Sequence, residues 1–201
     1  MVQLRCGLLS TKTRQARWGW SKDDINCRGG CGKPESLRHL LQNCALTHDN
    51  RCRRHNDVCK LINKLLIRKH CSTLYEPRIP LQTSYCKPDL IVVKNGSALV
   101  LDVTVCDPEL IASAWERKIG KYNTVEVNAS IKEHLIRLGF AVQQIEHHPV
   151  VITYNGLLYG RSSKSLQRCG LTSRDISDVC VATMKGSLKC YDGYMRGTHT
   201  Y

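Results

Sequence analysis

The Asn95-Gly96 dipeptide lies between two apolar runs, "LIVVK" and "SALVLDVTV", and no other feature limits the fold as sharply. Asn-Gly accepts positive φ at both central positions of a type I′ turn, so it closes a two-residue β-hairpin whose twist suits the flanking strands. The turn fixes the register: Lys94 pairs with Ser97, and counting outward brings Asp89 opposite Asp102. Theirs is a non-hydrogen-bonded pair, the closer kind, with Cβ atoms about 4.5–5.5 Å apart. Ile91, Val93, Ala98 and Val100 share the aspartates' face, while Leu90, Val92, Leu99 and Leu101 line the other. Opposed like charges destabilise a strand pair, so the two carboxylates must share a proton, pair with a Lys or Arg, or bind a divalent cation.

The helix that should follow, "DPELIASAWERKIGKY", has Asp107 as its cap and Pro108 at its first position. Ile111, Trp115, Lys118 and Tyr122 fall on one stripe of it. Lys118 thus interrupts an inward-facing row, an odd place for a solvated lysine, although a snorkelling lysine at a helix end would also satisfy the spacing. Thr104, two residues beyond Asp102, offers no cation of its own.

Upstream, Cys27, Cys31, His39 and Cys44 give the spacing C-x3-C-x7-H-x4-C. Three thiolates and one imidazole make a closed tetrahedral zinc site of the structural kind. "GGCGKP" supplies a Gly-rich knuckle, and Leu37, Leu40 and Leu41 predict a short helix presenting His39. His48 and Cys52 stand just beyond as substitute donors. A module this small cannot fold on apolar burial alone, so zinc would supply its stability.

Other elements follow from periodicity. Cys52, Val58, Cys59, Ile62, Leu65 and Leu66 predict a helix over 49–69 capped by Asp49. A strand near 73–79, a helix over 126–138 ending at Gly139, and one or two strands within 140–154 complete a mixed α/β (α+β) order. The expected division is a basic, extended arm over 1–24 with Trp18 and Trp20 docked on something, a zinc module over 25–48, a core over 49–155, and a mostly helical extension over 156–201.

Thirty Lys and Arg against seventeen Asp and Glu, a formal charge of +13, favour polyanionic partners, nucleic acid first. No apolar run approaches the ~20 residues that span a bilayer, and the first residues lack the pattern of a secretory signal. Twelve cysteines without such a signal fit a reducing, cytosolic or nuclear compartment better than a secreted disulfide framework.

Seven pieces in order, "LLSTKTR", the knuckle, "RRHN" at 53–56, "YEP" at 75–77, "KPD" at 87–89, the Asp102 strand and "ERKIGKY" at 116–122, are similar to the C-terminal region of site-specific non-LTR retrotransposon polyproteins that insert into ribosomal RNA genes. The resemblance covers residues 5–125 well and the last third loosely. It implies a CCHC knuckle followed by a restriction-like PD-(D/E)xK endonuclease that nicks DNA for target-primed reverse transcription in the nucleus. It implies that Asp89 and Asp102 hold Mg²⁺ or Mn²⁺, with Glu76 as a further acidic contributor. The catalytic lysine would have moved from the strand to Lys118, with Lys121 and Tyr122 in support. Arg14, Arg17, Arg28, Lys33, Arg53, Arg54, His55, Asn56 and Lys87 would face DNA, with the element's RNA and the remainder of the polyprotein as further partners. A catalytically silent nucleic-acid-binding module is the alternative. The family's reverse transcriptase and N-terminal fingers have no room in 201 residues, so the chain is expected to be a fragment, an isolated domain or a degenerate copy.

Overall fold

A computed structural model describes residues 1–20 and 24–198. Its centre is a four-stranded sheet in the order β1 (Ser72–Tyr75), β4 (Leu90–Lys94), β5 (Ser97–Cys106), β6 (Gln144–Thr153); β2 (Ile79–Pro80) and β3 (Tyr85–Cys86) form a separate small ladder. The β4–β5 hairpin has the register expected from Asn95-Gly96, Lys94 opposite Ser97 through Leu90 opposite Leu101, with φ of +49° and +75° at the two turn residues. β5 and β6 run parallel. Such a pair needs a crossover, and α4 (Ile111–Tyr122) and α5 (Val125–Arg137) provide it.

The hairpin's two faces meet different layers. Leu90, Val92, Leu99 and Leu101 pack with Val58, Ile62 and Leu66 of α3 (His48–Arg68), Leu166 of α6 (Gly160–Arg168) and Val179 of α7 (Ser173–Thr198). Ile91, Ala98 and Val100 pack with Tyr122 at the end of α4 and Val127, Ile131 and Leu135 of α5. Each fully buried leucine of this kind contributes about 1.5–3 kcal/mol, so slipping the register by one residue would exchange both faces and is strongly disfavoured.

Several expectations need correcting. The first twenty residues are not an extended arm: α1 (Val2–Arg5) and α2 (Lys12–Arg17) form there, and Leu4 and Leu9 join Met184 and Cys190 of α7 in a small core. Among the described residues, Trp18 and Trp20 find no core to dock on: they stack on each other, with ring centroids 6.2 Å apart, and both are exposed. α3 begins at His48 without a side-chain cap, leaving Asp49 inside its first turn. The strand expected at 73–79 is interrupted after Tyr75, where Glu76 takes a φ of +46° and its amide donates to the Asp89 carbonyl. At the end of β5, Asp107 caps a 3₁₀ turn, Pro108–Leu110, that leads into α4. All twelve cysteines are free thiols.

Candidate active site and metal knuckle

The hairpin ends at Asp89 and Asp102, which diverge in setting. Asp102 is 5% exposed, and Lys118 of α4 ion-pairs with its Oδ2. Burial pushes the Asp102 carboxyl above its usual range; Lys118 opposes that shift, and the charge of Asp89 adds to it. Asp89 is half-buried. Its Oδ2 accepts the Val103 amide at 2.6 Å and lies 3.3 Å from His55 Nε2. The hydrogen bond to Asp89, then that to Cys59, raises the His55 pKa to about 11, so this imidazole is cationic at neutral pH. Each carboxylate thus has one cationic partner, His55 on Asp89 and Lys118 on Asp102, with the two acids between them.

Tyr122 closes the site from the end of α4. Its hydroxyl donates to the Lys87 carbonyl at 3.2 Å and accepts from Lys121 Nζ at 2.9 Å. Burial first, then the charges of Asp102 and Asp89, push this phenol well up, so it stays protonated and orients rather than accepts protons. Lys121 is exposed. Glu76 turns its carboxylate to Lys87, so the acid offered as a metal contributor and the lysine offered for DNA are engaged with each other.

The remaining candidates divide. Arg14 is half-buried, and Arg17, Lys33, Arg53 and Asn56 are exposed. The Arg28 guanidinium, partly exposed, grips Glu35, Nη2 to Oε1 at 2.7 Å and Nε to Oε2 at 3.0 Å. Arg54 is turned into the protein. It is 3% exposed, donates to Ser187 Oγ at 2.9 Å and the Leu41 carbonyl at 3.0 Å, and desolvation lowers its pKa to about 10. It joins α3 to α7 and presents nothing to solvent.

In the knuckle, an Asn26–Pro34 bridge closes the Gly-rich loop, which brings Cys27 and Cys31 together. Ser36 Oγ accepts the His39 amide, and a π-helical turn, His39–Asn43, carries His39 inward and ends at Cys44. The donor atoms of Cys27, Cys31, His39 and Cys44 all lie within 4.8 Å of one another; Cys27 and Cys44 sulfurs are 3.7 Å apart, and Cys31 Sγ is 3.1 Å from His39 Nε2. This is a set that could hold zinc. His48 and Cys52 pair with each other outside it. Among the described residues one further such group occurs, His55, Cys59 and Asp89.

Two residues gave no signal in the sequence. Glu35, fully buried, accepts from Arg28, from the Lys12 amide at 3.2 Å and from the Tyr194 hydroxyl at 2.8 Å; that hydroxyl also lies 3.1 Å from Cys27 Sγ. Glu35 and Tyr194 so tie α2, the knuckle and α7 into one body.

Fold and clusters together define a mixed α/β domain with a Cys₃His knuckle at its N-terminal side and a carboxylate–lysine centre at the end of a central hairpin. The chain is homologous to one segment of the Pol polyproteins of R2 retrotransposable elements. It is 31% identical over 196 residues to the retrovirus-related Pol polyprotein from type-2 retrotransposable element R2DM of Drosophila melanogaster, covering 96% of this chain and 18% of that protein. For the type-1 element R2 of Bradysia coprophila the identity is 29% over 187 residues, 92% of this chain and 21% of the relative. For that of Nasonia vitripennis it is 26% over 197 residues, 97% and 19%. The chain spans about a fifth of the length of these relatives. No protein-family model matches it.

Proposed function

We propose that this chain is the DNA endonuclease segment of an R2-type Pol polyprotein, with a PD-(D/E)xK-like centre at Asp89, Asp102 and Lys118. The observation that carries this is the Asp102–Lys118 ion pair at the open end of the hairpin, a buried carboxylate and a lysine brought together from a strand and the helix after it. The donor set fits a hard divalent cation: Asp102 is a desolvated carboxylate held above its usual pKa even beside Lys118, hence short of positive charge, and Asp89 uses one oxygen for Val103 and His55, leaving Oδ1. Asp89 and Asp102 would hold Mg²⁺ or Mn²⁺, which when bound supplies charge neutralisation at a phosphate and an activated water.

The chain's own residues do the remainder. Lys118 holds a positive charge beside Asp102, where the negative charge of an attacked phosphodiester would develop. Tyr122 and Lys121 fix the C-terminal turn of α4, and His55 holds the Asp89 carboxylate against β5. Zinc at Cys27, Cys31, His39 and Cys44 would lock the knuckle, and the excess of basic residues would favour DNA through phosphate contacts. The nick would prime reverse transcription of the element's RNA by the rest of the polyprotein, in the nucleus.

A non-cleaving nucleic-acid-binding module is the second reading, favoured by the Glu76–Lys87 pair, which engages the third candidate acid. Supercoiled plasmid incubated with the zinc-loaded protein and Mg²⁺ or Mn²⁺ decides between them. Nicking lost in Asp102→Asn and Asp89→Asn supports the endonuclease. Nicking equal in the variants, or absent from a wild-type protein that retains duplex binding, rejects it.

A further inference from the structure

The end of α2 carries two tryptophans that a folding chain would ordinarily bury. Trp18 and Trp20 are 61% and 67% exposed, yet they are held firmly. The Trp20 amide donates to the Gln15 carbonyl at 2.9 Å and the Gly19 amide to the Ala16 carbonyl at 3.0 Å; with Gly19 at φ +69°, this is a Schellman C-cap. In that motif the residue after the glycine usually covers an apolar residue of the last turn. Here the facing residue is Gln15, so Trp20 has no apolar seat and stacks on Trp18, ring planes 27° apart.

The helix beneath is fixed. Thr11 caps it through the Arg14 amide, its first amides and Thr13 bind Glu35, and Tyr191 of α7 donates to the Ser10 carbonyl at 2.7 Å. Positive charge surrounds the rings. The Arg14 guanidinium lies 5.9 Å from the Trp20 centroid, and among the described residues neither Arg14 nor Arg17 is paired with a carboxylate. A cleft of about 380 Å³ opens alongside, lined by Leu9, Thr13, Arg14, Arg17, Trp18 and Tyr154.

The geometry points to a stacking platform for an unpaired nucleic-acid strand: bases seat on Trp18 and Trp20, and Arg14 and Arg17 hold the adjoining phosphates. Arg14 also donates to the Leu8 carbonyl, which holds its guanidinium in place; exposed rings on a fixed support, beside guanidinium groups that no carboxylate neutralises, are the means by which single strands are bound without sequence readout. Duplex DNA keeps its base faces stacked and cannot use such rings. The site does not depend on the endonuclease centre, and its failure would leave that centre untouched.

The test uses the zinc-loaded full chain carrying Trp115→Phe, so that the two platform rings are the only tryptophans. An oligothymidylate and an oligouridylate of about 12 nucleotides, within the usual site sizes, should each quench the emission at low salt, and the tighter arm names the strand. With the strand fluorescein-labelled and binding read by anisotropy, Trp18→Ala with Trp20→Ala should weaken single-strand binding about 30-fold or more, at about 1–3 kcal/mol for each of two stacked bases, while Phe at both positions retains most of it. Duplex affinity and the thermal midpoint should hardly move. The absence of quenching, an unchanged single-strand affinity in the alanine pair, or an equal loss for duplex would overturn the proposal.

Discussion

Lys118 of α4 ion-pairs with Asp102 of β5, the lysine side chain 21% exposed and the carboxylate 7%. The pair is what the inward stripe of α4 and the turn register of the hairpin jointly produce, since neither element alone brings a cation to the strand end. Removing one member leaves the other without its partner in a poorly solvated place.

Lys118→Met should therefore act on both stability and cleavage. The Asp102 carboxyl, already raised by burial, would rise further, and the urea midpoint without added magnesium should fall by an amount matching about 1–3 kcal/mol. Adding Asp102→Asn should restore the midpoint, because no buried charge remains. Plasmid nicking should drop by about 10²–10³, the scale of losing one transition-state charge partner, and should not return in the double variant. Recovery of nicking along with stability would remove both Asp102 and Lys118 from the cleavage site and leave the pair a role in the fold alone.

Glu35 predicts a second, separable effect. Glu35→Gln keeps the shape but leaves Arg28 without its bidentate partner, and should cost about 1.5–3 kcal/mol by denaturation. Tyr194→Phe should cost about 1 kcal/mol. Loading the knuckle with zinc and then chelating it should loosen the same region, read as faster amide exchange in α2 and the C-terminal half of α7 with β4 and β5 still protected. Exchange rising equally in the sheet would show that the knuckle and the core unfold as one.

Arg54 and Gly186 make a third. A Cβ on Gly186 would meet Arg54 Cγ at 2.6 Å and its backbone Cα at 3.3 Å, so α7 lies on α3 only because that position is bare. Gly186→Ala should destabilise by about 1–3 kcal/mol through overpacking. Arg54→Met should destabilise as well, while duplex affinity stays within twofold. A large affinity loss in a folded Arg54→Met protein would return this residue to the DNA surface.

These residues also mark what the sequence discloses. The hairpin, its register, the approach of Lys118 and the clustering of Cys27, Cys31, His39 and Cys44 depend on spacings of two to eighteen residues, where turn chemistry and helical period act directly. Arg54 in "RRHN" looks like a solvated helix face, because the groups that receive it, Ser187 and Gly186, lie over 130 residues away. Glu35 and Tyr194 are 159 residues apart, and no local pattern links them. His55, which the resemblance groups with the DNA-facing residues, lies 3.3 Å from Asp89 where α3 approaches the start of β4, a proximity no local pattern discloses. The helical arm was missed for a related reason: its stability comes from α7 and Glu35, not from its own short, basic sequence.

The last prediction concerns acid. His147, on β6, is held well below its usual pKa, at about 4, by burial first and by neighbouring His148 second; its Nε2 lies 2.6 Å from Asn128 Oδ1 on α5, so the neutral ring donates there. The unfolded chain would protonate it near 6.5. Between about 6.5 and 4 the unfolded state thus binds the extra proton, and stability must fall as pH falls through that window. His148 is shifted the same way by burial and lies against Glu146 and Ser165, so both rings steepen the loss. The urea midpoint should accordingly be lower at pH 5 than at pH 7.5. His147→Gln, which can still donate to Asn128 but cannot charge, should flatten that difference at a small cost at pH 7.5. A pH dependence unchanged by this substitution would place the acid sensitivity elsewhere, with His148 or the zinc ligands the next to vary.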